Sequence, residues 1–522
     1  MTFLQSERDG ILDDVSVVRR IARVGFRIPV FGPALRWALL SALRTVREVT
    51  SFSRTADFVV RGSLTLLKTT RRLPGGRTLF DRVWLPLARG SVVLAEAPER
   101  PLSDFSPLLE RDAFSGGPIV LCNNALAWGG VERQIVNTLN GLAAETTESL
   151  GLLCVRLDAG PDYGFYLPSL DGFRGFVRNA VTPGEAAARI NAMVRADRAG
   201  DLSAQIAWLP SHVQEEVRRF VGEFLTLKPS VVHVWQDALS ISAGMAAKLV
   251  GVPKIIVASR NMAARRFAYH QPYMATGYRE LAACPDVVFL NNSEAGARDY
   301  AGWLGILPDR FELLRNGVDE ASLSRPPSEA TAALKARLGI PPDAPVLGSV
   351  FRFYDEKQPM LWVQAAGIVA KALPQTHFVV FGTGPLMGEV WKFAERQGFA
   401  DRLHLPGTIE DVALGVSLFD AFMLTSQLEG TPNVVLEASL LGVPVVATNA
   451  GGTVEAIADG LTGYVARHGQ AEALAELVLK VLRDPIWPAR AREHGPSFIS
   501  QRFGLKRMID ETVALYGLKR LK

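Results

Sequence analysis

The sequence predicts a two-domain α/β protein: two doubly wound parallel sheets facing a central cleft, preceded by a basic helical extension. Three observations predict it. The chain has 522 residues, more than one ordinary core organises. Short apolar runs alternate with stretches of helical period, in two series separated by a Pro-rich segment at 324–344. Its composition, 48% hydrophobic and 21% charged without a low-complexity tract, is that of a folded chain.

Taken in order, residues 1–114 read as the extension and a connector. Residues 18–90 hold 14 Arg and one Lys against three acidic residues, a local charge of +12 in a chain of net +4. Within it, Ala34, Leu35, Trp37, Leu39, Leu40, Leu43 and Val46 form an apolar run broken by Arg36 and Arg44. The run is too short to cross a bilayer and reads as an interfacial helix on an anionic membrane surface. The plainer reading is helices packed on the body with arginines snorkelling outward. No nucleic-acid module accompanies the arginines, so no nucleic-acid partner is expected. The start, MTFLQSERDG, joins no basic region to an apolar one, and no cleavable signal peptide is expected. Three cysteines without paired spacing suit a reducing compartment. Together these place the chain in the cytoplasm, peripheral on the inner face of the cell membrane.

A first domain is expected over 115–325, with strands at 119–122, 150–155, 231–235, 254–258 and 287–290. A second is expected over 326–487, with strands at 346–350, 377–381, 402–405, 421–425 and 443–447. Residues 488–522 have a helical pattern and are expected to pack back toward the first domain. Sheets of this kind bind ligands beyond the carboxyl ends of their strands.

The most informative segment is TSQLEGTPNVVLEASLLGVPVVATNAGG, residues 425–452. Thr431 and Pro432 can open a helix, leaving the amides of Asn433, Val434 and Val435 for a phosphate at its positive end. Glu429 in the preceding loop and Glu437 two turns on can each accept from sugar or ribose hydroxyls. Earlier, GSVFRFYDEKQP at 348–359 puts Arg352 and Lys357 in the loop after a strand, where two cations neutralise a diphosphate. FGTGP at 381–385 offers Gly382 and Gly384 for a close backbone approach, without a complete dinucleotide fingerprint or a P-loop lysine. Each feature alone also reads as ordinary strand–turn–helix grammar or solvated charge.

In these residues the chain resembles the retaining GT-B glycosyltransferases of family four, of bacterial surface-polysaccharide type, over roughly 117–485. LLRNGVDEASL at 313–323 resembles the family's boundary signature, and Glu429 and Glu437 match its E-x7-E spacing. Arg352 and Lys357 match its basic pair, and Gly129 and Gly130 its flexible donor loop. The resemblance implies transfer of a hexose-like sugar from a nucleotide sugar, UDP-linked by family weight. The implied acceptor is a saccharide or polyprenyl-diphosphate-linked glycan, and neither cofactor nor essential metal is implied. Glu429 would orient the donor sugar, Glu437 would bind the ribose, and Arg352 and Lys357 would stabilise the departing diphosphate. Thr408 would lie near the nucleobase.

One departure matters. Relatives often carry an HxH-like motif after an acceptor-domain strand, where this chain reads His233-Val234-Trp235-Gln236-Asp237. His233 reads as either a cleft residue or a buried structural one. Trp235 would stack on a sugar or fill the core, and Asp237 stands at loop height to orient an acceptor. SRNMAARRF at 259–267 adds Arg260 and Arg265 for an acceptor phosphate and Asn261 for a hydroxyl. No His/Cys cluster with metal-ligand spacing is present in the sequence. Two other classes fit the same fold: a GT-B nucleotide-sugar epimerase, and a noncatalytic glycan-assembly protein.

Overall fold

The computed structural model describes residues 98–521 apart from Glu99, Pro161 and His468, so the extension expected at its core, 18–90, lies outside the described residues. The strands run β1 Ile119–Asn123, β2 Leu150–Cys154, β3 Phe176–Asn179, β4 Val231–Val234, β5 Lys254–Ser259, β6 Val287–Asn291 and β7 Phe311–Leu313. A second series follows: β8 Val346–Val350, β9 His377–Phe381, β10 Leu403–Gly407, β11 Ala421–Leu424, β12 Val445–Thr448 and β13 Gly463–Ala466. They form two all-parallel sheets, ordered β3-β2-β1-β4-β5-β6-β7 and β10-β9-β8-β11-β12-β13. Each is the core of one lobe.

Alternation along the strands explains why both sheets are covered on both faces. Val120 and Cys122 of β1 face one apolar cluster, while Ile119 and Leu121 face another. In the second lobe Phe378 and Val380 separate in the same way from Val379 and Phe381. Three strands escaped the sequence reading: β3, β7 and β13. All three are sheet edges with mixed burial, so they present no continuous apolar run.

Six helices carry the site: α1 Gly130–Glu145, α2 Asp237–Val250, α3 Glu294–Leu304, α4 Asn433–Leu440, α5 Trp487–Phe503 and α6 Leu505–Tyr516. Residues 324–344 do not make the crossing between lobes that their prolines suggested. They hold a helix, Ser328–Arg337, and Leu334 and Ile340 already belong to the second lobe's core. The chain crosses earlier, at 314–318, and returns at 503–505. The two crossings are bonded to each other: Val318 N donates to Phe503 O at 2.7 Å, and Leu505 N to Val318 O at 2.9 Å. The Gln134 amide from α1 grips Gly317 by both N–H and C=O, at 2.8 and 2.9 Å. Beyond the return, α6 packs on α1, with Ile509 seated where a Cβ at Gly141 would stand.

Each sheet reverses its strand order once, between β1 and β4 and between β8 and β11. Between the lobes, the segments that follow β1, β6 and β7 meet those that follow β11 and β12, beyond the carboxyl ends of the strands.

Candidate functional site

On the second lobe, β8 leads into the 351–357 loop and β11 into the 425–432 loop. Lys357 Nζ lies 2.5 Å from Glu429 Oε1, and Ser426 Oγ donates to the same oxygen at 2.6 Å. Backbone fixes Glu429 in turn: its N–H donates to Ala450 O at 2.9 Å, and its C=O accepts from Gly452 N at 3.1 Å. Arg352 stays more exposed, 3.3 Å from Glu356 and beside the Tyr354 ring.

Helix α4 begins at Asn433, after Pro432. Val435 N donates to Pro432 O at 3.0 Å, so the first-turn N–H groups for an anion are those of Asn433 and Val434 alone. Gly382 and Gly384 have a nearer purpose than a ligand. At φ +133° and +155°, a Cβ on them would stand 2.0 Å from Phe351 O and 2.7 Å from Phe353 O, so this turn is built to pack against the 351–353 loop. Thr408 is exposed just beyond β10.

The first lobe supplies a residue the sequence reading missed. Arg133, in the first turn of α1, pairs with Glu437 of α4 across the lobes. Burial opposes the Arg133 charge, but the Glu437 carboxylate holds it above its ordinary value. A cation near a helix N-terminus opposes the dipole and calls for a partner, which was the available signal. Beside it, burial raises the Glu132 carboxylate above its usual range, against hydrogen bonds including Gln236 Nε2 at 2.9 Å. Gly130 O accepts from Asn433 Nδ2 at 3.2 Å, and a Cβ at Gly130 would stand 2.7 Å from that nitrogen. Gly129, in extended backbone, caps α1.

More contacts close the junction. Asn316 Nδ2 donates to Asn433 Oδ1 at 2.7 Å and Thr431 O at 3.0 Å, while Thr431 Oγ1 donates to Asn292 O at 2.7 Å. The Glu455 carboxylate receives the Glu294 and Ala295 amides of α3 at 3.1 and 2.9 Å, capping that helix from the opposite lobe.

The acceptor-side candidates turn out differently. His233 and Trp235 are fully buried, stacked on each other at 4.7 Å, and His233 Nδ1 is 2.6 Å from Tyr516 Oη of α6. Burial, then Arg260, holds His233 well below its usual value, so it is neutral. Neither ring has a face for a sugar: this corrects the expectation of acceptor stacking by Trp235 and of a cleft role for His233. Asp237 begins α2 as the centre of a tyrosine cage, accepting from Tyr278 at 2.5 Å, Tyr269 at 2.9 Å and Tyr300. Burial raises its pKa and the three phenols counter it. Arg265 pairs with Asp299 at 3.2 Å, and the Asn261 side chain caps Met262 N at 2.8 Å.

Arg260 is different. It is buried over the Trp235 ring at 4.5 Å, and only its Nη2 is bonded, to Asn316 Oδ1 at 2.9 Å. Its Nε and Nη1 have no hydrogen-bond partner among the described residues. Burial pulls the guanidinium below its ordinary value. Among the described residues, no group of three or more His, Cys, Asp or Glu side chains is placed to hold a metal ion.

The family described as "Glycosyl transferases group 1" matches residues 331–498, the lobe that carries Lys357, Glu429 and Glu437. Over 410 residues the chain is 29% identical to the Vi polysaccharide biosynthesis protein VipC/TviE of Salmonella typhi, covering 76% of this chain and 70% of that one. The chain is a GT-B glycosyltransferase related to the bacterial family-four enzymes. The glycosyltransferase is also 23% identical over 296 residues to the UDP-Gal:alpha-D-GlcNAc-diphosphoundecaprenol alpha-1,3-galactosyltransferase of Escherichia coli, covering 55% of this chain and 75% of that one. Its fold matches the crystal structure of Anabaena Alr3699/HepE in complex with UDP and glucose, with TM-score 0.60, 17% identity, and coverage of 77% of this chain and 99% of that one. No helix among its described residues is long and apolar enough to cross a membrane.

Proposed function

We propose that the enzyme transfers a hexose-like sugar, with retention, from a UDP-linked donor to a polyprenyl-diphosphate-linked saccharide in cell-surface polysaccharide assembly. The observation that carries this reading is the Lys357–Glu429 pair at 2.5 Å, at the head of α4 and in the same interlobe junction as Arg133–Glu437. A diphosphate entering there gives Lys357 a stronger anion than one carboxylate. Arg352 and the amides of Asn433 and Val434 share the charge, and Glu429 is released to the donor sugar's hydroxyls. Glu437, held by Arg133, faces the ribose.

The acceptor oxygen then attacks the anomeric carbon on the face from which the diphosphate leaves. One C–O bond forms as the sugar–phosphate bond breaks, and the acceptor proton passes to the departing phosphate oxygen. Fixed cations stabilise the charge gathering on that leaving group. Arg260 would meet a phosphate of the acceptor, since a buried guanidinium without a carboxylate is incomplete without an anion. The names of relatives support the substrate classes: a galactosyltransferase with a UDP donor and a diphosphoundecaprenol-linked acceptor, and a polysaccharide biosynthesis protein. The basic extension would hold the enzyme at an anionic inner-membrane surface.

The test is mass-spectrometric transfer with purified enzyme, a panel of nucleotide sugars and lipid-linked glycans from the source cell envelope. A gain of one glycosyl unit from a UDP sugar, in a product of unchanged anomeric configuration, is expected. An epimerised donor, an inverted product, or no transfer by folded enzyme that binds UDP would overturn the reading.

A further inference from the structure

The side chains first assigned to the acceptor are mostly engaged elsewhere, while an unassigned group of aromatics stands open beside the donor loop. The loop leaving β1 carries Trp128, immediately before Gly129 and Gly130, and Trp128 is 42% exposed. The loop leaving β2 carries Phe165, 45% exposed, with ring centroids 6.3 Å apart. Tyr166 meets Phe165 edge-on at 4.9 Å. Backbone locks the two loops together: Leu126 N donates to Tyr163 O at 3.0 Å, and Tyr166 N to Leu126 O at 3.1 Å. The Arg156 guanidinium lies 3.7 Å over the Tyr163 ring and braces the outer side.

Large exposed rings on a rigid frame cannot be explained as core, and apolar exposure disfavours leaving them to water. The shelf is continuous with the cleft. Trp128 directly precedes Gly129 and Gly130, and Gly130 O accepts from Asn433 of the opposite lobe at 3.2 Å, so the shelf begins where the two lobes meet. The shelf also lies beyond the carboxyl ends of β1 and β2, where this sheet presents ligands. A pyranose presents axial C–H bonds on one face and hydroxyls around its rim. An aromatic face takes the former, and polar side chains such as Glu132, four residues on from Trp128 and bonded to Gln236, suit the latter.

We propose that Trp128 and Phe165 form a saccharide-stacking subsite for the acceptor glycan, holding a sugar unit next to the one that receives the transfer. This rests on the transferase reading above and adds the surface that selects the glycan. The lipid diphosphate end would go to Arg260, and the glycan would lie along the shelf.

The experiment is saturation-transfer NMR on full-length enzyme with defined di- to tetrasaccharides of hexose, N-acetylhexosamine and hexuronic acid units, with UDP present. Saturation centred on the C–H protons of one pyranose face is expected. Trp128→Ala with Phe165→Ala should reduce it at least about fivefold, and Trp128→Phe should restore it relative to Trp128→Ala. UDP affinity, measured in the same samples, should stay within twofold and reports the donor site separately. Equal saturation in the double variant overturns the subsite, as does absence of saturation in wild-type enzyme that binds UDP. Loss of liposome association in the double variant, with saccharide saturation unchanged, would make the aromatics a membrane contact instead and also overturn it. Failure of UDP binding in wild type would instead strike the donor reading on which the subsite rests.

Discussion

The two sides of the cleft are built on the same sheet topology and solve opposite problems. On the second lobe, charged groups stand in and beside the loops: Lys357 on Glu429, Arg352 exposed, and Glu437 of α4 paired with Arg133. On the first lobe, the corresponding strand β4 turns its polar residues inward, with His233 on Tyr516, while Asp237 just beyond it sits among three tyrosines. Its openings to the cleft are a buried cation and a pair of exposed rings. A diphosphate is the same in every donor and can be met by fixed charges. Glycan acceptors differ from one another chiefly in shape and in the display of hydroxyls and C–H faces, so shape and apolar faces must do much of the selecting.

That contrast can be broken at its strongest point first. Glu429→Gln keeps the shape of the Lys357 and Ser426 contacts and removes the charge. Turnover is expected to fall by about 10²–10³-fold, the range for losing one preorganised electrostatic group, and steady-state kinetics on folded protein within tenfold of wild type would break the donor-side assignment. Arg133→Ala frees Glu437 and should weaken UDP-sugar use about tenfold, roughly 1.4 kcal/mol. An unchanged donor KM would make that cross-lobe pair merely structural.

The acceptor side should respond in stability where the donor side responds in rate. His233→Leu leaves Tyr516 Oη without its buried partner and should lower stability by about 1–3 kcal/mol, seen as a fall in melting temperature. Turnover per folded molecule should stay within about twofold; a loss of turnover without a loss of stability would return His233 to the chemistry. The smallest effect is expected at Glu132. Its folded pKa is raised, so between the ordinary carboxylate range and that raised value the folded state binds more protons than the unfolded one, and stability falls as pH rises. Glu132→Gln removes this dependence. The variant should melt about 2 °C higher than wild type at neutral pH, with the gap closing as pH falls; a gap that widens toward acid would reverse the assigned sign.

What was legible in the sequence follows the same division. Central strands such as β1, β8 and β9 are almost wholly buried and read as largely apolar runs. Edge strands β3, β7 and β13 do not, and were missed. The donor residues were legible because loop charges at fixed spacing have few structural uses. Strand β4 was legible as a strand but the roles of its side chains were not, since a strand buried on both faces carries no outward phase to tell which side chain meets ligand. The partner that fixes His233 lies 283 positions away on α6, beyond any local pattern. Arg133 escaped because its carboxylate sits on the other lobe; Trp128 escaped because an aromatic before a glycine pair looks like loop filler.

The paired crossings at 314–318 and 503–505 have a mechanical consequence. One strand of chain between two bodies is a swivel, free to bend and to twist. Two strands bonded side by side, through Val318, Phe503 and Leu505, resist twisting and leave bending about the line that joins them. The Gln134 amide clamps Gly317 at that line, so any hinging of the lobes would run about it. A hinge of that kind would bring the Glu437 carboxylate and the Arg133 guanidinium back into the same register each time the lobes close.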